Sequence, residues 1–219
     1  MIYSAEKSVA IFLNPKTATT SLVTCLQSTG VLFDECLHNH TNYQEFNQKF
    51  FPDPGIKMFC LHRDPVDRFL STWNYIRTRP GCIPDMIHYF YGDSIEMSFL
   101  DRTPFDQLSP EIQTALRNIK IIDFLKTNFA ETAGVYWPLM KPQINWCNFD
   151  NVTLLPYRDI DNSIANIMAS LDISSYTFTK ENASIGLIND PTPTAEEISA
   201  IKEYYQVDYD FFQSAGILY

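Results

Sequence analysis

The chain has 219 residues, enough for one sizeable α/β core and short for two independent ones. Hydrophobic content of 45% with 14% aromatics excludes a disordered protein, and a formal charge of −10 with a pI near 4.7 argues against nucleic acid and other polyanions as partners. No apolar run approaches the roughly 20 residues that cross a bilayer, the first residues lack the basic, apolar and small-residue pattern of a secretion signal, and five scattered cysteines without a CxxC pair suit thiols in a reducing cytoplasm.

Residues 8–13 (SVAIFL) are a short, apolar, β-branched run, which predicts a buried strand. The segment after it, NPKTATTSLVTCL, places Leu22, Cys25, Leu26 and Thr29 on one helical face, with Gly30 as a stop. A second strand is predicted at residues 56–61 (IKMFCL), running into His62-Arg63. Residues 63–77 (RDPVDRFLSTWNYIR) then open a helix, with Asp64 suited to its N-cap, Pro65 to its first turn and Asp67 to the positive end of its dipole. Residues 78–140 alternate helical pieces with proline-rich breaks and show no strand pattern; a helical insertion is expected there. Residues 151–157 (NVTLLPY) predict a third strand, and Ile160, Ile164, Ile167, Met168 and Leu171 recur at helical spacing after it. The last helix opens on Thr194 and Glu197, the spacing of a capping box. Strands alternating with helices, without repeats or flexible linkers, imply a single α/β domain over residues 1–219. Its central, mostly parallel sheet is expected to be flanked by helices on both faces, with ligands at the C-terminal strand ends.

Two loops fall at those ends. In the first, Lys16 and the hydroxyls of Thr17, Thr19, Thr20 and Ser21 sit between a strand and a helix, whose first N–H groups and dipole make an anion site. Such loops usually carry glycine for unusual backbone angles; a loop turning directly into its helix is expected to need fewer of them. The alternative is that the hydroxyls only cap the helix and Lys16 is solvated. In the second loop, Arg63 can grip a phosphate through its planar fork, with Ser71 two turns further on as a hydroxyl donor. An Asp64–Arg68 surface pair beside a helix cap is the alternative there.

Taken together, NPKTATTSL and LHRDPVDRFLSTW resemble the 5′-phosphosulfate loop and the 3′-phosphate segment of sulfotransferases that use 3′-phosphoadenosine-5′-phosphosulfate (PAPS). The likeness is closest to the carbohydrate branch that includes heparan sulfate 2-O-sulfotransferase, where a His-x-His followed by an aromatic lies between the two loops; CLHNHTNYQEF has that form. KPQINWC and VTLLPYRDI fit more loosely. The resemblance is continuous over residues 9–77 and patchy from 137 onward. It implies a P-loop-like three-layer fold and transfer of a sulfuryl group from PAPS to a hydroxyl of a sugar, glycan or other small acceptor, leaving 3′,5′-adenosine bisphosphate (PAP).

The implied donor contacts are Lys16, Thr17, Ala18, Thr19, Thr20, Ser21, Arg63, Ser71 and Lys180, the last being the one basic residue of FTKENASIG. The implied catalytic residues are His40, as base for the acceptor hydroxyl, and Lys16, against the leaving phosphate. His38, Tyr75 and Gln143 are candidates for the acceptor. No metal is implied: His38 and His40 could share one, but no third ligand is near in sequence. The tyrosines of WNYIRTRPGCIPDMIHYFYG either stack on sugar rings or belong to the core. The acidic surface favours a neutral or lightly charged acceptor. Two rival readings are a nucleotide or small-molecule kinase, for which Lys16-Thr17 fits but the GxxxxGK pattern is absent, and a catalytically inactive PAP-binding module.

Overall fold

The computed structural model describes residues 1–36, 40–50, 52–92, 103–127, 137–179 and 192–219. The chain divides into two compact bodies, one of Met1–Asp64, Lys141–Ala183 and Val207–Tyr219, the other of Pro65–Met140 and Ser184–Gln206. The strands are β1 (Ile2–Ser4), β2 (Val9–Phe12), β3 (Glu35–Cys36), β4 (Lys57–His62) and β5 (Val152–Pro156). Among the described residues the α-helices, in chain order, are α1 (Thr19–Gln27), α2 (Tyr43–Phe50), α3 (Pro65–Thr78), α4 (Ile83–Tyr91), α5 (Pro110–Asn118), α6 (Ile121–Lys126), α7 (Trp137–Met140), α8 (Ile144–Cys147), α9 (Ile160–Ser170), α10 (Ala195–Tyr204) and α11 (Gln206–Ser214).

The first body is built on a mixed, mostly parallel five-stranded sheet of order β3-β1-β2-β4-β5. β2, β4 and β5 run parallel, and β1 is antiparallel to both β2 and β3, so β1 alone runs against the rest. Alternation along the strands explains why they read as unbroken apolar runs: both faces are covered. Val9, Ile11 and Leu13 of the β2 segment, with Phe59, Leu61 and Leu155, pack against Leu22 and Leu26 of α1 and Ile160, Ile164, Ile167 and Met168 of α9. Ala10, Phe12, Met58 and Cys60 face the other way, toward Phe46 of α2, Trp146 and Cys147 of α8, and Phe211. Each such aliphatic or aromatic side chain contributes about 1.5–3 kcal/mol by leaving water.

Three predicted strands and the α1 and α9 helices lie where the apolar pattern placed them. β1, β3 and α2 carried no readable pattern. Two- and three-residue strands hold too few alternations, and α2 buries only Phe46.

The described residues of the second body form helices joined by short connections, with no strand among them. Phe69, Trp73 and Ile76 of α3 pack with Ile83, Met86 and Ile87 of α4, Leu116 of α5, Phe124 of α6, and Ile201 and Tyr205. The capping box at α10 is formed on both sides: Thr194 Oγ1 accepts from the Glu197 N–H at 3.2 Å, and Glu197 Oε2 accepts from the Thr194 N–H at 2.9 Å. Arg68 is no surface partner. It is fully buried, donates through Nη1 to the Leu139 carbonyl at 3.1 Å, and lies 5.0 Å from the Tyr205 ring centroid. The apolar periodicity of α3 carries it into the core, which overrides the surface pairing the DPxxR spacing allowed.

His62, at the end of β4, is 2% exposed, and its Nδ1 is hydrogen-bonded to the Tyr219 hydroxyl. Burial, with a smaller push from Arg158, lowers its pKa to about 4 from 6.5. A histidine held neutral when folded stabilises fully above pH 6.5; that stability is lost as pH falls toward 4, because the unfolded chain takes up the proton first. The shift corresponds to about 3 kcal/mol. Urea titrations at pH 7, 5.5 and 4 are expected to show this loss, and His62→Gln is expected to flatten that part of the slope.

Candidate functional site

The C-terminal ends of β2, β4 and β5 lie side by side in the first body, and each presents a residue of interest. After β2 the chain turns sharply: the Asn14 N–H donates to the Phe12 carbonyl at 3.2 Å, and Thr17 Oγ1 donates to the Asn14 carbonyl at 2.7 Å. Lys16 and Ala18 both adopt left-handed backbone, with φ of 64° and 61°, and Thr17 between them does not. The expectation that this loop needs few unusual angles is therefore corrected. It uses two, and two side-chain-bearing residues take them at roughly 1–2 kcal/mol each. Two left-handed residues so close together bend the chain sharply into the first turn of α1, whose leading N–H groups lack intrahelical partners.

Ala18 is also the N-cap of α1, where its methyl has no oxygen to offer and makes no side-chain cap. The helix is thus not capped by a threonine at its N-cap position, and its N-terminal end follows directly on the bend. Thr17, Thr19 and Ser21 are buried, while Lys16 and Thr20 are half-buried. Ala18→Gly is expected to raise unfolding free energy by about 1 kcal/mol, because glycine accepts left-handed backbone without penalty and caps better than alanine. Chemical denaturation checks it; a destabilised variant would show the left-handed turn to be wrong.

Gln143 joins this loop to the end of β4. Its Oε1 accepts from Asn14 Nδ2 at 2.7 Å and from the Arg63 N–H at 3.0 Å, while its Nε2 donates to the Arg63 carbonyl at 2.8 Å. Asn14 Nδ2 also donates to the Leu61 carbonyl at 3.2 Å. Gln143 is fully buried and its own backbone is held in turn: Asp208, likewise buried, accepts from the N–H groups of Gln143 and Ile144 at 2.9 and 3.0 Å. Arg63 is thereby gripped at both backbone polar groups. Its guanidinium lies 4.7 Å from the Tyr157 ring centroid, beyond the end of β5, and its Nε is buried with no hydrogen-bond partner among the described residues. A buried donor in that condition calls for an acceptor from outside the described chain.

His40 stands beside the first loop. Its Nδ1 is 2.6 Å from the Leu13 carbonyl. A carbonyl oxygen only accepts, so Nδ1 carries a proton, and in the neutral form of the ring the lone pair is on Nε2. Trp146 fixes the residue from the other side, donating Nε1–H to the His40 carbonyl at 2.9 Å and packing edge-on to the ring at 6.2 Å.

The structure thus gathers Lys16 to Ser21, His40, Arg63 and Gln143 in one body, with Gln143 as the clamp between the two loops. Ser71 and Tyr75 belong to the second body, both half-buried on α3; the Tyr75 hydroxyl is pushed up by burial and its ring lies 5.0 Å from the Arg79 guanidinium. Tyr89 is 39% exposed, whereas Tyr91 donates to the Ala115 carbonyl at 2.8 Å. His38 and Lys180 lie outside the described residues. Among the described residues no group of three or more His, Cys, Asp and Glu is placed to hold a metal ion, and no helix is long and apolar enough to cross a membrane.

Asn14, Trp146, Tyr157 and Asp208 were not anticipated from the sequence. Asn14 and Trp146 stood inside quoted motifs, NPKT and QINWC, and could have been found there; Asp208, inside an ordinary-looking helix, had no signal. Compared with known proteins, the chain matches no family model, no curated protein and no solved structure.

Proposed function

We propose that this chain is a sulfotransferase that moves a sulfuryl group from PAPS to a hydroxyl of a carbohydrate or other small acceptor, on a P-loop-like α/β scaffold. The observation that carries the reading is the Gln143 clamp. One side chain fastens the root of the lysine loop and the backbone of Arg63 at neighbouring strand ends, so that two anion-gripping elements share one rigid frame. Two such grips suit a ligand with phosphates at opposite ends of a nucleoside.

The donor supplies an activated sulfuryl group on its 5′-phosphate. The bend at Lys16–Ala18 and the N-terminal end of α1 hold that phosphate, and the Lys16 ammonium offsets the charge it gains as its bond to sulfur breaks. Arg63, its Nε still in need of an acceptor, holds the 3′-phosphate. His40, with its proton fixed on Nδ1, takes the acceptor's hydroxyl proton at Nε2. Transfer between two oxygens in line asks for this positioning and little else. A cytoplasmic setting fits the five free thiols, four of them buried.

The test is calorimetric titration with PAP, ADP and magnesium-ATP. PAP is expected to bind at least about tenfold more tightly than either, a difference of 1.4 kcal/mol from the second grip. Equal or tighter binding of magnesium-ATP would reject the reading in favour of a kinase. Selective PAP binding without transfer to any of a broad acceptor panel would leave a binding module.

A further inference from the structure

Two of the cysteines meet inside the first body. Cys60, on β4, and Cys147, the last residue of α8, are 87 positions apart in sequence, and their Sγ atoms lie 3.0 Å apart. Both are fully buried, in the cluster on the α2 and α8 face of the sheet. The other three cysteines have different surroundings: Cys25 and Cys36 pack on the opposite face, and Cys82 in the core of the second body. Placement in the core therefore singles out one pair.

Bonded sulfurs are about 2.05 Å apart, so these two have roughly 1 Å to close, the scale of a side-chain adjustment and not of a backbone rearrangement. The segments that carry them are already fastened together close by. Cys60 precedes Arg63 by three residues and Cys147 follows Gln143 by four, and the Gln143 side chain bonds both backbone polar groups of Arg63, at 3.0 and 2.8 Å. Asp208 holds the start of α8 through the N–H groups of Gln143 and Ile144. A bond between the sulfurs is thus a second fastening across a junction that the native packing has already set.

We infer that Cys60 and Cys147 are a redox modification site, forming a reversible disulfide that locks α8 onto β4 when a peroxide is present. The chemistry balances with hydrogen peroxide as the oxidant. One sulfur attacks a peroxide oxygen; the O–O bond breaks, the departing oxygen takes the thiol proton and leaves as water, and the sulfur becomes a sulfenic acid. The other sulfur, beside it, displaces that hydroxyl, which leaves as a second water with the second thiol's proton. Two thiols lose two electrons in all and one peroxide gains them, and a dithiol reductant reverses the bond by exchange. Because both thiols are buried, the reaction waits on local opening and is slow. The site goes beyond the transferase reading and does not depend on it, since its test uses neither PAPS nor transfer.

The test is treatment of the folded full chain with hydrogen peroxide, followed by alkylation of the remaining thiols in denaturant, digestion without reductant and mass spectrometry. A peptide pair joined through Cys60 and Cys147 is expected, lighter by two hydrogens than the two thiol peptides together and separated by dithiothreitol. The treated chain is expected to unfold at a lower urea concentration once dithiothreitol is added, because the bond constrains residues distant in sequence. Cys147→Ala is expected to lose both the joined peptide and the response to dithiothreitol. Should it fail to fold, Cys60→Ala replaces it, and the peptide map of the unaltered chain decides without either. Recovery of Cys60 and Cys147 as alkylated thiols or sulfinic acids, preferential joining of either to another cysteine, or a urea midpoint that dithiothreitol leaves unchanged or raises would each overturn the inference.

Discussion

His40→Asn is expected to lower turnover by about 10²–10⁴-fold, the usual contribution of a positioned base, while PAP affinity stays within about twofold. Asparagine is the informative replacement because its Nδ2–H can take the place of the Nδ1–H that donates to the Leu13 carbonyl. The bond from Trp146 Nε1 goes to the backbone of residue 40 and survives any side-chain change. Folding and donor binding are thus preserved while the basic Nε2 is removed. Sulfate-transfer assays under donor and acceptor saturation measure the effect. A variant keeping more than about a tenth of the turnover would remove His40 from the chemistry and leave it a structural residue, the fate of most histidines packed against a carbonyl.

Gln143→Met is expected to be the most damaging change to both stability and donor binding. Methionine matches the length and fills the buried volume but can neither accept from Asn14 and the Arg63 N–H nor donate to the Arg63 carbonyl. Leaving buried backbone and amide groups unsatisfied costs about 1–3 kcal/mol each, so a total loss of about 3 kcal/mol or more is expected in urea unfolding with an unchanged m value. PAP affinity is expected to fall at least about tenfold as well, because the backbone that aims Arg63 is no longer held. A loss under about 1 kcal/mol would mean that the clamp is dispensable and that the two grips are positioned by the sheet alone.

The fold was legible where residues pack on two covered faces. The runs at β2, β4 and β5, the repeat of isoleucines in α9 and the Thr194–Glu197 pair are local patterns whose physical cause lies within a few residues, and each appears in place. The elements that went unread owe their existence to distant partners: β1 exists because β2 and β3 flank it, and α2 because Phe46 meets Tyr3 and Phe12 across the sheet.

The same division holds at the site. Lys16, His40 and Arg63 stood out because charge and imidazole chemistry are rare and spaced in a recognisable order. Gln143 reads from the sequence as a candidate for the acceptor, and the structure sets its side chain between Asn14 and Arg63. Its clamp could not be read, since an amide announces nothing about the three backbone and side-chain groups it will meet 80 and 129 residues away. The left-handed turns at Lys16 and Ala18 were hidden for a related reason: glycine marks such turns, and neither residue is glycine.

The order of the sheet has one more consequence. β2 and β4, whose ends carry both loops, are interior strands, each hydrogen-bonded to a neighbour on either side, and the sheet's margins fall to β3 and β5. Fraying and slow local opening start at margins, so the two strands beneath the loops belong to the portion of the protein that opens last. A ligand arriving there finds its partners already immobilised and spends little of its interaction energy on ordering them. A ligand of the kind proposed would meet Lys16 half-buried and the Arg63 guanidinium already resting on the Tyr157 ring, both following on from interior strands.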